Sequence, residues 1–139
     1  MSVLVDTNVL SELIRAEPAA AVRSWMFAQR VETLHVSAIT QAEMLLGARL
    51  LPAGRRRSKL EQSLYEMFDE AFANRIVPFD HRAAPYFAGV VAARRSAGRP
   101  ISQFDAQIAA IALANGMSLA TRNVADFVAC GLELVNPWD

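Results

Sequence analysis

Apolar positions along the chain follow two rhythms, short continuous runs and longer stretches spaced at three and four residues, and the two alternate. Residues 2–6 (SVLVD) read as a strand and 8–15 as a short helix. After Pro18, residues 19–29 carry Val22, Trp25 and Met26 at helical spacing. A second strand lies within 33–40 and leads into a helix through QAEMLLGARLL, which Pro52-Ala53-Gly54 breaks. The next helix places Leu60, Leu64, Met67, Phe68, Ala71 and Phe72 on one stripe. RIVPFD (75–80) is a third strand, put at a sheet edge or a strand end by Pro78. One helix runs from about 81 to 96, closed by Gly98. Another spans 102–116, capped by Ser102, lined on one face by Phe104, Ile108 and Ile111, and ended by Gly116. MSLAT (117–121) and LELVNP (132–137) read as strands, with a short helix at 123–130 between them. Such alternation predicts an α/β domain, a parallel sheet with helices on both faces. No repeat, linker or low-complexity segment interrupts it, so residues 1–139 are expected to form one domain.

Composition sharpens this in a few places. A hydrophobic content of 53% argues for a filled interior and against disorder. Lys+Arg and Asp+Glu are both 14, so no basic field announces a nucleic-acid binder, although a local patch can act within a zero total. Lys59 is the only lysine; the other basic residues are arginines, whose guanidinium forks suit phosphate. Cys130 stands alone, which excludes an intrachain disulfide and fits a reducing cytoplasm. No stretch approaches the ~20 apolar residues of a membrane span. The start lacks a basic segment before its apolar run and Asp6 interrupts that run, so no signal peptide is expected.

The candidate chemistry lies in acids that follow the strands. Asp6 follows the first, Glu43 opens the helix after the second, Asp126 follows the fourth, and Asp105 sits in the first turn of the helix before that strand. Open α/β sheets form their sites at these strand ends. A competing explanation is capping: Thr40 to Glu43, Ser102 to Asp105 and Asn123 to Asp126 each have the spacing of a capping box. Taken together the acids carry more weight, because carboxylates gathered at one end of a sheet repel one another unless a cation joins them. Hard oxygens without paired cysteine or histidine suit Mg²⁺ or Mn²⁺, and such a site hydrolyses phosphodiesters without a covalent nucleophile. His35 and His81 read as packing or capping residues. A haloacid-dehalogenase-type phosphatase needs a second Asp where Asn8 stands, and a response-regulator receiver needs a late lysine that is absent. Phosphate-cradling glycine motifs are absent too.

VLVDTNVLSEL, VSAITQAEMLLG, GRPISQFDAQIAAIALANG, LATRNVADF and LELVNPW, in that order, resemble the PIN-domain ribonucleases, and among them the VapC-like and FitB-like toxins of bacterial toxin–antitoxin pairs. The resemblance implies a three-layer PIN-like fold with about five parallel strands and a Mg²⁺-dependent endoribonuclease (Mn²⁺ being an alternative). It also implies an RNA substrate, a cognate antitoxin, and a homodimer or higher assembly with it. Carried over by position, Asp6, Glu43, Asp105 and Asp126 are the site acids, with Asp6 and Asp105 as direct metal ligands. Some branches place their last acid where Asn123 stands, so Asn123 and Asp126 share the fourth place. Thr7, Asn8 and Thr121 are expected to hold carboxylates and waters.

Arg122 is the first candidate for substrate contact; Arg55, Arg56, Arg57 and Lys59 read as a solvated helix start or a phosphate contact, and Arg94, Arg95 and Arg99 as partners of a helix dipole. Phe127 could stack on a base, whereas Trp25 and Trp138 read as core or interface. Consecutive Met44, Leu45 and Leu46 cover more than one helix face, so the region of Leu10, Ile14, Leu46 and Leu50 is expected to bind a peptide of the antitoxin. A PIN-like fold that binds RNA or protein without cutting is the alternative, disfavoured by the presence of all four acids.

Overall fold

A computed structural model describes residues 1–139. Its strands are β1 (Val3–Val5), β2 (Leu34–Ser37), β3 (Ile76–Val77), β4 (Ser118–Ala120) and β5 (Leu134–Val135). Its helices are α1 (Thr7–Leu13), α2 (Ala20–Ala28), α3 (Ala38–Arg49), α4 (Arg55–Tyr65), α5 (Ala84–Ser96) and α6 (Gln103–Ala114). The strands form one parallel sheet in the order β3-β2-β1-β4-β5. As Pro78 requires, β3 ends at Val77 and lies at the sheet edge.

β1 is central and buried on both faces, and its alternation divides the core. Leu4 points into a cluster with Ile108, Ile111, Leu119 and Phe127 on the α5–α6 side. Val5 points into a cluster with Val9, Leu10, Val36, Leu64 and Phe68 on the α1–α4 side. Helix α6 is apolar almost all round. Ala106, Ala109, Ala110 and Ala112 are fully buried beside Ile108 and Ile111, and their small side chains let the sheet and α5 approach closely. Phe104 does not join that face; it is about half exposed, two residues before the first buried position, Ala106.

The stripe from Leu60 to Phe72 recurs every four residues, which drifts by about 40° per step on a helix of 3.6 residues per turn. The chain corrects this by changing helix type. After Tyr65 it continues as a π-helix over Glu66–Ala71, whose wider turn rotates the stripe back so that Leu64, Phe68 and Phe72 are all buried. Each such burial stabilises by roughly 1.5–3 kcal/mol. Ala71 falls outside the stripe and is exposed. Two other expectations shift: the helix drawn from 81 begins at Ala84, after a turn in which Asp80 accepts the Arg82 N–H at 3.1 Å. The helix drawn over 123–130 is a single 3-10 turn, Val124–Phe127.

Candidate active site

Strand order reverses direction between β1 and β4, so the sheet leaves a crevice at the carboxyl ends of these two strands. Asp6 stands there. It continues β1 by donating its N–H to the Ala120 carbonyl (2.9 Å), then caps α1 as its carbonyl accepts from Val9 and Leu10. Its carboxylate accepts the Thr7 N–H on Oδ1 (2.8 Å), and on Oδ2 the Thr121 hydroxyl (2.8 Å) and the Asn8 amide (3.2 Å). Thr121 follows β4, so one carboxylate ties both strands at the switch point. Asp6 is only 4% exposed, and burial pushes its pKa up to about 6 against the hydrogen bonds from Thr121 and Thr7, with Asp105 and Glu43 adding repulsion.

Glu43 reaches the crevice from a different position in its helix than the sequence suggested. Helix α3 is capped by Ser37, whose Oγ accepts the Thr40 N–H at 2.9 Å. Glu43 therefore lies in the second turn, and Thr40, fully buried, has another partner. The Thr7 hydroxyl donates to Glu43 Oε1 (2.9 Å) and, having one proton, accepts from the Thr40 hydroxyl at 3.0 Å. Burial raises the pKa of Glu43, opposed by Thr7 and reinforced by Asp105.

Asp105 occupies the expected first turn, where Ser102 Oγ accepts its N–H at 3.2 Å. Burial is again the largest influence raising its pKa; the Ser102 hydrogen bond and the Arg94 charge pull it down, and Asp126 pushes it up. Arg94 is itself buried. Its Nε donates to the Arg99 carbonyl (2.6 Å) and its Nη1 to the Val128 carbonyl (2.7 Å), so its role is interior and not that of a dipole partner at a helix end.

These acids line one open cleft of about 400 Å³ with Thr7, Asn8, Ser11, Glu12, Arg15, Arg122, Asn123 and Trp138. Asp126 is not among the lining residues. It is exposed because its neighbour Phe127 fills the core-facing slot of the 3-10 turn, and its charge reaches the site only through Asp105. Asn123 is the group of that pair that faces the cleft, its N–H held by Thr121 Oγ1 at 3.1 Å. Phe127, at 1% exposure, cannot stack on a base. Sequence reasoning missed Ser11, Glu12 and Arg15. Thr7, Asn8, Ser11, Glu12 and Arg15 share one helical face of the α1 region, a polar stripe that the sequence displays. Glu12 is held by the Ala19 N–H (2.8 Å) and Arg15 (3.2 Å), and these partners lower its pKa, so it is already satisfied.

A second groove adjoins the cleft and shares Thr7, Ser11 and Glu43 with it; Ile14, Met44, Gly47, Ala48, Leu51, Arg56, Leu60 and Leu64 complete the lining. Of the four residues expected at a partner surface, only Ile14 lines this groove. Leu10 is core at 1% exposure, and Leu46 and Leu50 are exposed on the other side of α3, since Met44, Ala48 and Leu51 take the groove side.

The PIN domain family model matches residues 3–127. The chain belongs to the PIN-domain family. Plasmid stability protein StbB of Pseudomonas syringae pv. tomato is 45% identical over 99% of both chains. VapC ribonuclease Y4jK of Sinorhizobium fredii is 43% identical over 99% of this chain and 98% of its own. The crystal structure of FitAcB from Neisseria gonorrhoeae superposes with a TM-score of 0.91 at 36% identity, covering 98% of each chain. The five-stranded parallel sheet is thus a PIN-domain sheet, with the cleft acids at its carboxyl edge. No helix of this PIN domain is long and apolar enough to cross a membrane.

Proposed function

We propose that this PIN-domain protein is a divalent-metal-dependent endoribonuclease, the toxin of a toxin–antitoxin pair that works in the cytoplasm. One observation carries the catalytic part. Asp6, Glu43 and Asp105 line a single cleft at the sheet's switch point; burial raises the pKa of all three, and the charge of Asp105 adds to it at Asp6 and Glu43. Carboxylates held at such a disadvantage are suited to a cation. The donor set agrees: no histidine or cysteine lines the cleft, so the ligands are hard oxygens that fit Mg²⁺ or Mn²⁺. No three acids stand close enough to share an ion directly. That suits Mg²⁺, which is commonly held through one or two carboxylates and keeps several waters.

Asp6 and Asp105 would present the ligating oxygens. A bound divalent ion supplies charge neutralisation at the phosphoryl oxygen and makes attacking water more acidic. Thr121 and Asn8 fix Asp6 Oδ2, so that carboxylate needs no reorganisation when substrate arrives. Thr7 fixes Glu43, whose raised pKa suits it to take a proton from the attacking water. Asn123, through its N–H to Thr121, closes the ring of contacts around Asp6.

VapC ribonuclease in the relative's name supports RNA as the substrate. Toxin FitB of Neisseria gonorrhoeae, 36% identical over 98% of both chains, supports the toxin role. The apolar groove beside the cleft is the place for the antitoxin: a segment seated along Ile14, Met44 and Leu51 passes Thr7 and Glu43, where it would exclude substrate. The test is incubation of the purified protein with RNA in Mg²⁺, in Mn²⁺ and in EDTA. Cleavage in either metal, lost in EDTA, supports the reading. Specific RNA binding without cleavage in any metal replaces it with a binding module.

A further inference from the structure

Arg122 is placed unusually for an arginine beside four carboxylates. It lines the cleft with Asp6, Glu12, Glu43 and Asp105 and its charge helps lower the pKa of Glu12, yet no acid lies within ion-pairing distance of it. Its guanidinium carbon instead lies 4.9 Å from the centroid of the Trp138 ring. Both ends of the residue are fixed. The main-chain N–H donates to Asn8 Oδ1 at 3.1 Å, the same asparagine whose amide holds Asp6. Trp138 is fixed in turn, its main-chain N–H donating to Asn136 Oδ1 at 3.0 Å while its side chain packs against the cluster of Val5 and Val9. A long, exposed cation is thereby restrained over an indole, without a side-chain hydrogen-bond partner in the protein. Cation–π contact restrains an arginine while leaving its N–H edges free for a phosphate fork.

We infer that Arg122, held over Trp138, forms a subsite that binds the backbone of single-stranded RNA at the rim of the cleft. The ligand class rests on the nuclease reading above. A polyanion approaching recessed carboxylates needs a fixed cation, and pairing with those carboxylates would have neutralised this one. Asp6 lies at the cleft floor with 4% exposure, a depth that a flexible single strand reaches more readily than a stiff duplex. Trp138 is a positioning residue: it acts through Arg122.

The test is anisotropy of a labelled single-stranded RNA in EDTA, where cleavage is off, over a series of salt concentrations, alongside kinetics in Mg²⁺. Arg122→Gln should weaken binding roughly tenfold and flatten the salt dependence by about 0.7, the loss of one phosphate contact on a single strand. Trp138→Leu should lose a similar factor although the arginine is still present, and Trp138→Phe should recover most of it. In Mg²⁺ the loss should fall on KM and leave kcat within about threefold. In a Trp25→Phe protein, where Trp138 is the remaining tryptophan, RNA should change the fluorescence. If circular dichroism shows Trp138→Leu unfolded, Arg122→Gln against Trp138→Phe decides. Wild-type affinity and salt slope in Arg122→Gln overturn the subsite even if cleavage is Mg²⁺-dependent. Loss of binding in Arg122→Gln from a wild-type protein that never cleaves leaves the subsite standing and removes the nuclease reading.

Discussion

Replacing Asp6 by Asn removes a charge that the fold holds at a disadvantage. Its pKa rises from 3.8 to about 6 on folding, and at about 1.4 kcal/mol per unit the native anion is penalised by roughly 3 kcal/mol. The residue is 4% exposed, so solvent screening takes little from that figure. The folded state holds the proton more tightly than the unfolded chain does. Stability contributed by this group therefore falls as pH rises from 3.8 through about 6, and the full penalty is present above that window. Asparagine carries no charge at any pH but can accept on one side only. With its oxygen toward Thr121 and Asn8, its amide faces the Thr7 N–H and that bond is lost, at about 1 kcal/mol. The net expectation in EDTA at pH 7.5 is an Asp6→Asn protein more stable by about 2 kcal/mol, or roughly 4–8 °C in Tm. At pH 4, where the wild-type carboxyl is largely protonated, that advantage should vanish or reverse. Urea denaturation followed by circular dichroism at the two pH values measures both differences. A variant less stable by the same amount at both pH values would refute the reasoning, since it would make Asp6 an ordinary cap.

The other expectations are simpler to state. Mg²⁺ or Mn²⁺ should raise the Tm of the wild-type protein, and Asp105→Asn should respond less to metal while gaining Tm in EDTA; equal responses in thermal melts would assign Asp105 to capping alone. Arg94→Met should cost about 2–4 kcal/mol in urea denaturation, because it leaves the Arg99 and Val128 carbonyls without their partner and Asp105 without a nearby positive charge; a loss under 1 kcal/mol would contradict that. A β-carbon at Gly47 meets nothing within 4 Å, so the position has room for a side chain, and Gly47→Leu, with folding verified by thermal melts, should obstruct the groove. It should weaken the antitoxin complex at least tenfold in titration calorimetry while RNA cleavage by the free protein persists; an unchanged Kd would move the partner elsewhere.

Much of the architecture is written in the chain as alternation of short apolar runs with helical spacing, and β1 shows why. Val3, Leu4 and Val5 are buried on both faces, which only a central strand of a covered sheet requires. An aspartate closing such a strand is legible as a residue of the candidate cleft for the same reason. Asp105 lies in the first turn that the Ser102 cap defines, as the sequence predicts, although that spacing alone fits a cap as well as a cleft acid. Glu43 reaches the cleft by a local geometry that the sequence leaves ambiguous: Ser37 and Thr40 are both able to cap, and Ser37 does so while Thr40 is buried in the bond to Thr7. Asp126 was misplaced because an acid after a strand says nothing about which neighbour, here Phe127, takes the core slot. Arg122 lies far in sequence from Asn8, which ties its main chain to the cleft; that contact exists only once β1 and β4 are adjacent.

The most direct test of the proposed chemistry is the single-turnover rate of RNA cleavage by Asp6→Asn and Asp105→Asn proteins at saturating Mg²⁺, with folding verified by thermal melts. Each is expected to fall by about 10³-fold or more, since each removes a charge from the site where the cation and the phosphoryl oxygen meet. Cleavage by either folded variant within tenfold of wild type would contradict its assignment as a metal-ligating acid.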